Sequence, residues 1–276
     1  MSFLSTGKVN YRARIERAEF LASKYSSARQ LLVFYGHVAR FQRDLYERLP
    51  NLRRKHVTVL AGGTLRSELN LPALLEPFEQ LLLLIESQGP GPLSEHSRAI
   101  RMRGDADWQN ALAEFWKKGL LEPESTQPLT EFLARAFLQP YAEFLASAEL
   151  PPSLPMTVCR CPRCDSLPLL GVLRPEGEGG KRFLKCSFCS HEWDFRRILC
   201  AHCGEEREQK LPVYVAEQFP HLRMECCESC KHFLRTIDLT KDGNAVPIVE
   251  DLATIPLSLW AQENGYTRIQ GNLLGT

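Results

Sequence analysis

The chain is 276 residues long, 44% hydrophobic and 24% charged, an ordinary globular composition with room for one large domain or two modest ones. Its 34 Lys+Arg against 33 Asp+Glu leave a net charge of +1, which argues against a protein whose main business is coating nucleic acid or an anionic membrane. No apolar run approaches the ~20 residues of a membrane span, and the N-terminus lacks the basic start and apolar core of a secretory signal, so cytoplasmic residence is expected.

The first half reads as helices. Residues 9–24 form a weak helical pattern. Leu31, Phe34, Tyr35, Val38, Phe41 and Leu45 then recur at three- and four-residue steps, predicting a helix that Pro50 and Asn51 end. The short run Arg53-Arg54-Lys55 reads as a solvated loop. A helix over 71–87 would carry Pro72 in its first turn, Gln88-Gly89-Pro90-Gly91-Pro92 is a break, and a helix over 105–118 follows Asp105 as its cap. A last stripe runs through Leu129, Phe132, Leu133, Ala136, Phe137, Tyr141, Phe144 and Leu145, with Pro140 predicting a kink inside it. This half shows no Gly-rich phosphate loop, no His-Glu-x-x-His and no Gly-x-Ser-x-Gly elbow, and His37, His56 and His96 stand alone. Pro151-Pro152-Ser153-Leu154-Pro155 reads as a stiff linker closing the helical domain.

All 10 cysteines lie between Cys159 and Cys230. Eight form Cys-x-x-Cys pairs: Cys161/Cys164, Cys186/Cys189, Cys200/Cys203 and Cys227/Cys230. Two residues between cysteines let one tight turn present both thiolates to a tetrahedral ion, and a pair from a second turn completes four sulfurs. Disulfides belong to exported chains, which this pattern does not resemble. There are 21 residues between Cys164 and Cys186, 23 between Cys203 and Cys227, and only 10 between Cys189 and Cys200. Sequential pairing therefore gives two ribbons, each a knuckle, a β-hairpin and a second knuckle; a crossed pairing is the alternative. Leu169-Leu170-Gly171-Val172-Leu173 and Arg182-Phe183-Leu184-Lys185 read as strands around the turn-rich Glu176-Gly177-Glu178-Gly179-Gly180, and Pro212–Ala216 with Leu222–Glu225 repeat the scheme. Ribbons of about 35 residues cannot bury enough apolar surface to fold alone. A structural zinc supplies an apparent ~10–16 kcal/mol in comparable peptides. Four sulfurs accept zinc or iron, and zinc binds more tightly than ferrous iron. Cys159 and Cys226 are left over as inert neighbours, and His191, His202 and His232 sit beside knuckles without being needed as ligands. Beyond the ribbons, a helix is expected from Val246 to Asn264, bent at Pro256, and Tyr266 and Arg268 are candidate exposed contact residues after it.

The expected architecture is thus α+β: an α-helical domain (1–155), two tandem rubredoxin-like or zinc-ribbon modules (156–195 and 196–240), and a C-terminal helix and tail (241–276). Cys161-Pro162-Arg163-Cys164 with Pro168, Cys186-Ser187-Phe188-Cys189 with Glu192-Trp193, the run from Arg197 to Gly204, Arg223 to Cys230, and Asp251-Leu252-Ala253 with Gly265-Tyr266-Thr267-Arg268 resemble the bacterial formate dehydrogenase accessory protein family, FdhE. The resemblance covers the whole layout and is specific over 159–268. It implies a non-enzymatic cytoplasmic protein that binds the catalytic subunit of formate dehydrogenase before membrane assembly or export by the twin-arginine route. It also implies two rubredoxin-like metal sites per chain, with iron as the family's ion. Asp165 stands where the family has Gly, and Asp tolerates the left-handed turn required there; Cys227 rather than Cys226 preserves the ligand spacing. A homodimer is compatible with this pattern. The competing readings are a nucleic-acid-binding zinc ribbon, disfavoured by 12 basic against 11 acidic side chains over 159–232, and a thiol–disulfide oxidoreductase, which lacks a βαβ context.

Overall fold

The computed structural model describes residues 9–53, 65–67, 74–118, 127–147 and 155–275. Arg54, Lys55, His56, Pro72 and most of the proline linker lie outside them. Among the described residues, six α-helices build the first half: α1 (Tyr11–Lys24), α2 (Arg29–Arg53), α3 (Leu75–Gln88), α4 (Gly91–Arg101), α5 (Asp105–Lys118) and α6 (Pro128–Ser147). Helices α2, α3 and α6 pack together, and Leu32, Tyr35, Val38 and Leu45 of α2, Phe137, Leu138 and Tyr141 of α6 and Phe78, Leu81 and Leu82 of α3 belong to one buried core.

The helix expected to end at Pro50 and Asn51 runs a little further, whereas the expected break at 88–92 and the proline inside the last helix of this half are both present, each for a local reason. α2 runs through Pro50 to Arg53, where only the last turn loses a hydrogen bond. The break at 88–92 is a short joint and not a loop, because Pro90 precedes the first residue of α4 and Pro92 sits in its first turn, where backbone N–H groups have no intrahelical acceptor anyway. α6 continues through Pro140. That proline cannot donate to the carbonyl of Ala136, and the buried amide of Gln42 does so instead, at 2.7 Å.

The second half is one mixed sheet. Its strands are β1 (Pro168–Glu176), β2 (Gly179–Cys186), β3 (Glu192–Asp194), β4 (Val213–Ala216), β5 (Phe219–Cys226), β6 (His232–Asp238) and β7 (Thr267–Arg268), in the order β3-β2-β1-β6-β5-β4 with β7 also on β6. Each ribbon is a three-stranded antiparallel meander, so the expected hairpins β1–β2 and β4–β5 are present and each gains a third strand. The ribbons fuse through a parallel pairing of β1 with β6. Arg182 of the first ribbon fastens them further: it pairs with Glu225 of the second and donates to the carbonyls of Arg196 (2.7 Å) and Leu199 (3.2 Å).

The expected C-terminal helix is two, α7 (Pro247–Ala253) and α8 (Ile255–Glu263), parted at Thr254. Pro256 has no N–H to offer Leu252 and instead occupies the first turn of a new helix. Among the described residues no helix is long and apolar enough to cross a membrane.

Candidate metal centres

The knuckles are one local structure written four times. In each, the backbone N–H of the first cysteine donates to the carbonyl five residues on: Cys161 to Ser166 (2.9 Å), Cys186 to His191 (2.8 Å), Cys200 to Glu205 (2.9 Å) and Cys227 to His232 (2.9 Å). The residue after the second cysteine is left-handed in all four, with φ of 61° at Asp165, 55° at Ser190, 76° at Gly204 and 57° at Lys231. Asp165 adopts the turn, as expected for a residue that can stand in for glycine there. Turn amides point at sulfur: the N–H of Arg163 lies 3.4 Å from Cys161 Sγ, that of Phe188 3.3 Å from Cys186 Sγ, and that of His202 3.4 Å from Cys200 Sγ. These donors stabilise a thiolate before any ion arrives.

Sequential pairing is what the fold produces. Cys161, Cys164, Cys186 and Cys189 converge at one end of the first ribbon, and Cys200, Cys203, Cys227 and Cys230 in the second; the crossed arrangement is not formed. None of the 10 cysteines is disulfide-bonded. Sulfurs of different knuckles approach to 3.5 Å (Cys161–Cys189), 3.3 Å (Cys164–Cys186), 3.8 Å (Cys200–Cys230) and 3.7 Å (Cys203–Cys227). Four sulfurs about 2.3 Å from a tetrahedral ion stand about 3.8 Å apart, so both clusters have the spacing a zinc or iron ion requires.

The metal-free thiols are not equivalent. Burial pushes Cys161 and Cys189 well above the ordinary thiol range, whereas hydrogen bonds from Cys161, Cys186 and Cys189 hold Cys164 well below it. In the second cluster burial pushes Cys200 up to about 11 and raises Cys230 as well. Burial also opposes ionisation of Cys227, but the N–H groups of Cys230 and Ser229 outweigh it and the thiol is lowered. Cys164 and Cys227 are thus the thiols most readily ionised relative to Cys161, Cys189, Cys200 and Cys230, and a cation binding four sulfurs displaces the protons that remain.

The two centres differ in surroundings. All four cysteines of the first are buried; in the second Cys203 is exposed and Cys230 half-buried. The first is clamped to the helices. Arg66, in a short turn (Leu65–Ser67), donates to the carbonyls of Cys164 (2.7 Å) and Trp116 (2.6 Å) and to Ser166 Oγ (2.8 Å). Phe188 packs between Phe115 and Trp116 at 5.6 and 5.7 Å between ring centres. Ser190 donates to the buried Glu143, which also accepts from Tyr11 and pairs with Arg14 at 2.8 Å. Arg135 donates to the carbonyl of Ser187 at 3.0 Å. None of these clamps was legible beforehand, because each joins residues far apart in the chain.

The remaining candidates fall as follows. Cys159 is not grouped with either set of four; its thiol lies 3.8 Å from the carbonyl of Cys200, beside the second centre. Cys226 is buried among Met224, Phe233, Ala261 and Tyr266, and burial pushes it up to about 12, consistent with an inert thiol. His191 is half-buried beside Trp193, pushed down to about 4 by burial and by Arg163. His202 and His232 stack on each other with ring centres 3.8 Å apart. Tyr266 and Arg268 are not exposed as expected. Tyr266 is 5% exposed and donates to Glu228; Arg268 turns inward to Asp251, 2.6 Å away. The reason is β7, which adds this segment to β6 and carries both side chains onto the folded layer.

Residues 160–197 match the model of the FdhE central domain and residues 198–274 that of the FdhE C-terminal domain. The chain is 24% identical to a protein FdhE homolog of Aquifex aeolicus over 270 residues, covering 95% of this chain and 94% of the relative. It is 38% identical to a protein FdhE homolog of Pseudomonas aeruginosa over 119 residues, covering 41% of this chain but 38% of that protein. In fold it is similar to the crystal structure of the FdhE protein from Pseudomonas aeruginosa, with a TM-score of 0.68 at 23% identity over 96% of this chain and 94% of the other.

Proposed function

We propose that this chain, a member of the FdhE family through its central and C-terminal domains, is an accessory protein in the maturation of formate dehydrogenase. In this reading it works in the cytoplasm, engages the catalytic subunit of that enzyme before membrane assembly or export, and is not itself a catalyst. The observation that carries the proposal is that the two family domains run without a gap over residues 160–197 and 198–274, and so over both cysteine clusters.

The eight clustered cysteines are the metal ligands of this proposal, holding two cations per chain as zinc or as rubredoxin-like iron. The support is the donor set, the sulfur spacing and the absence of disulfides described above. Four protein sulfurs saturate a tetrahedral ion and leave no position for a substrate, so the ions brace the ribbons; an iron ion would in addition permit one-electron transfer. Units of sequence at 1–155, 156–195, 196–240 and 241–276 remain part of the proposal, with the two ribbons sharing one sheet. A nucleic-acid-binding role is not favoured, since 12 basic and 11 acidic side chains over 159–232 leave the ribbons almost neutral.

Two experiments test this together. Affinity capture with the folded, metal-loaded chain from cells respiring formate is expected to recover the dehydrogenase catalytic subunit. Deletion of the gene is expected to abolish formate dehydrogenase activity, with restoration by the intact chain. A folded bait that retains no dehydrogenase subunit, with activity unchanged in the deletion strain, overturns the proposal.

A further inference from the structure

We propose that the first cysteine centre is a metal-dependent latch. Its ion holds two knuckles in the one arrangement onto which the helical half locks. Its loss frees the turn at Leu65–Ser67 and the end of α5, while α1 stays attached. The second centre has no such role, so the chain converts the occupancy of one buried site into the mobility of a distant helix end.

The helical half grips both knuckles of the first centre at once. On the knuckle of Cys161 and Cys164, the N–H of Leu65 donates to the carbonyl of Arg163 at 3.1 Å, and Arg66 donates to the carbonyl of Cys164 and to Ser166 Oγ. On the knuckle of Cys186 and Cys189, Phe188 is fully buried against Phe115 and Trp116, Arg135 donates to the carbonyl of Ser187, and Ser190 donates to Glu143. Arg66 spans the two: its guanidinium also lies over the Phe188 ring, 5.3 Å from the ring centre. It is tied to α5 in both directions, donating to the carbonyl of Trp116 at 2.6 Å while the Trp116 indole donates to the Arg66 carbonyl at 2.8 Å. These grips fit only while the two turns keep their relative position. Four sulfurs on one ion fix that position, and a ribbon this small does not hold it without its ion.

The second ribbon supplies the internal comparison. Among the described residues, no side chain of the helical half bonds to its knuckles at 200–204 and 227–231. Beyond the ribbons those turns meet only the tail, where the N–H of Thr267 donates to the carbonyl of Lys231 at 2.8 Å and Tyr266 donates to Glu228. The helical half also has an attachment remote from both centres, since Arg17 of α1 pairs with Glu250 of α7 at 2.5 Å and with Asp242 at 2.8 Å. A body held at two places and released at one loosens locally and does not separate. Within α5 the loosening is confined to the end, because Trp108 near its start remains packed on Phe78, 5.9 Å between ring centres.

This inference rests on the reading of the cysteine sets as metal centres, and the experiment separates the two. Full-length protein with both centres loaded is treated with increasing chelator; native mass spectrometry counts the ions and hydrogen exchange follows the segments. Emptying the second centre, by the first step of chelation or by Cys203→Ser, is expected to leave exchange at Leu65–Ser67 and at 115–118 unchanged. Emptying the first is expected to speed exchange there by at least about tenfold while α1 keeps its protection. Ion binding and helix docking support each other reciprocally. Arg66→Ala is therefore expected to load both ions but to yield that of the first centre at an at least about tenfold lower chelator concentration, with Arg66→Lys in between and the second centre unaffected. Exchange that stays slow with the first centre empty, that rises when the second is emptied, or that rises equally in α1 overturns the latch. So does an Arg66→Ala chain that holds the first ion as firmly as the wild type. A chain that binds no ion refutes the metal-centre reading and the latch with it, whereas a two-ion chain whose helices ignore ion loss refutes the latch alone.

Discussion

Where β1 runs beside β6, Gly171 faces Thr236, and a Cβ at position 171 would lie 2.2 Å from Thr236 Oγ1. The seam between the ribbons therefore needs a residue without a side chain. Gly171→Ala is expected to destabilise the loaded protein by about 1–3 kcal/mol through overpacking, and Thr236→Ala, which removes the obstructing hydroxyl, to restore part of that loss in the double variant; urea unfolding of the four proteins measures both. In the sequence Leu169-Leu170-Gly171-Val172-Leu173 is readable as a strand, but the purpose of its glycine is not, since the residue it accommodates belongs to another ribbon. Gln42 has the same character. It interrupts an apolar stripe without visible cause, and its partner, the Ala136 carbonyl orphaned by Pro140, is 94 residues away.

The elements legible in advance are those whose causes are local. A knuckle is closed by bonds that span five residues, so its spacing alone announces it, and the same holds for α5 and for the hairpin strands. α4 was hidden because two prolines and a glycine at its start look like a stop signal when they are a start signal, and β3 and β6 because they are recruited by neighbours already in the sheet. Spacing is equally silent about exposure, which is where the two centres part. With Cys203 exposed and Cys230 half-buried, the second centre is expected to give up its ion first. A chromogenic chelator added to the protein should show one equivalent in a fast phase, and Cys203→Ser should abolish that phase while leaving the slow one. Two equivalents released in a single phase would contradict the difference in burial.

At the scale of the whole chain, α+β class and division into helices and ribbons were readable, and the way the parts are tied was not. Asp251 on α7 is fully buried with Arg235 of β6 at 2.8 Å, Arg268 of β7 at 2.6 Å and Asn272 donating at 2.9 Å, so one carboxylate binds helix, sheet and tail. Burial opposes its ionisation, but Arg235 and Arg268 outweigh it and hold it below the usual carboxylate range. A depressed value means that the contribution is complete above the ordinary pKa of about 3.9 and is lost as pH falls through the lower folded value. Asp251→Asn leaves two buried guanidinium groups short of their counter-charge and is expected to cost about 3–5 kcal/mol. It should also flatten the acid limb of stability against pH, which denaturation at several acidic pH values would show. The pairing of β1 with β6 has a consequence in time as well. Strand β6 leaves the ribosome about 65 residues after β1, several seconds at roughly 5–20 residues per second. Through that interval the nascent β1 shows an uncovered edge able to template pairing with other chains. The first four sulfurs are complete at Cys189, well before the covering strand exists. Metal scarcity during translation, more than scarcity afterwards, should therefore govern how much of the newborn chain escapes aggregation.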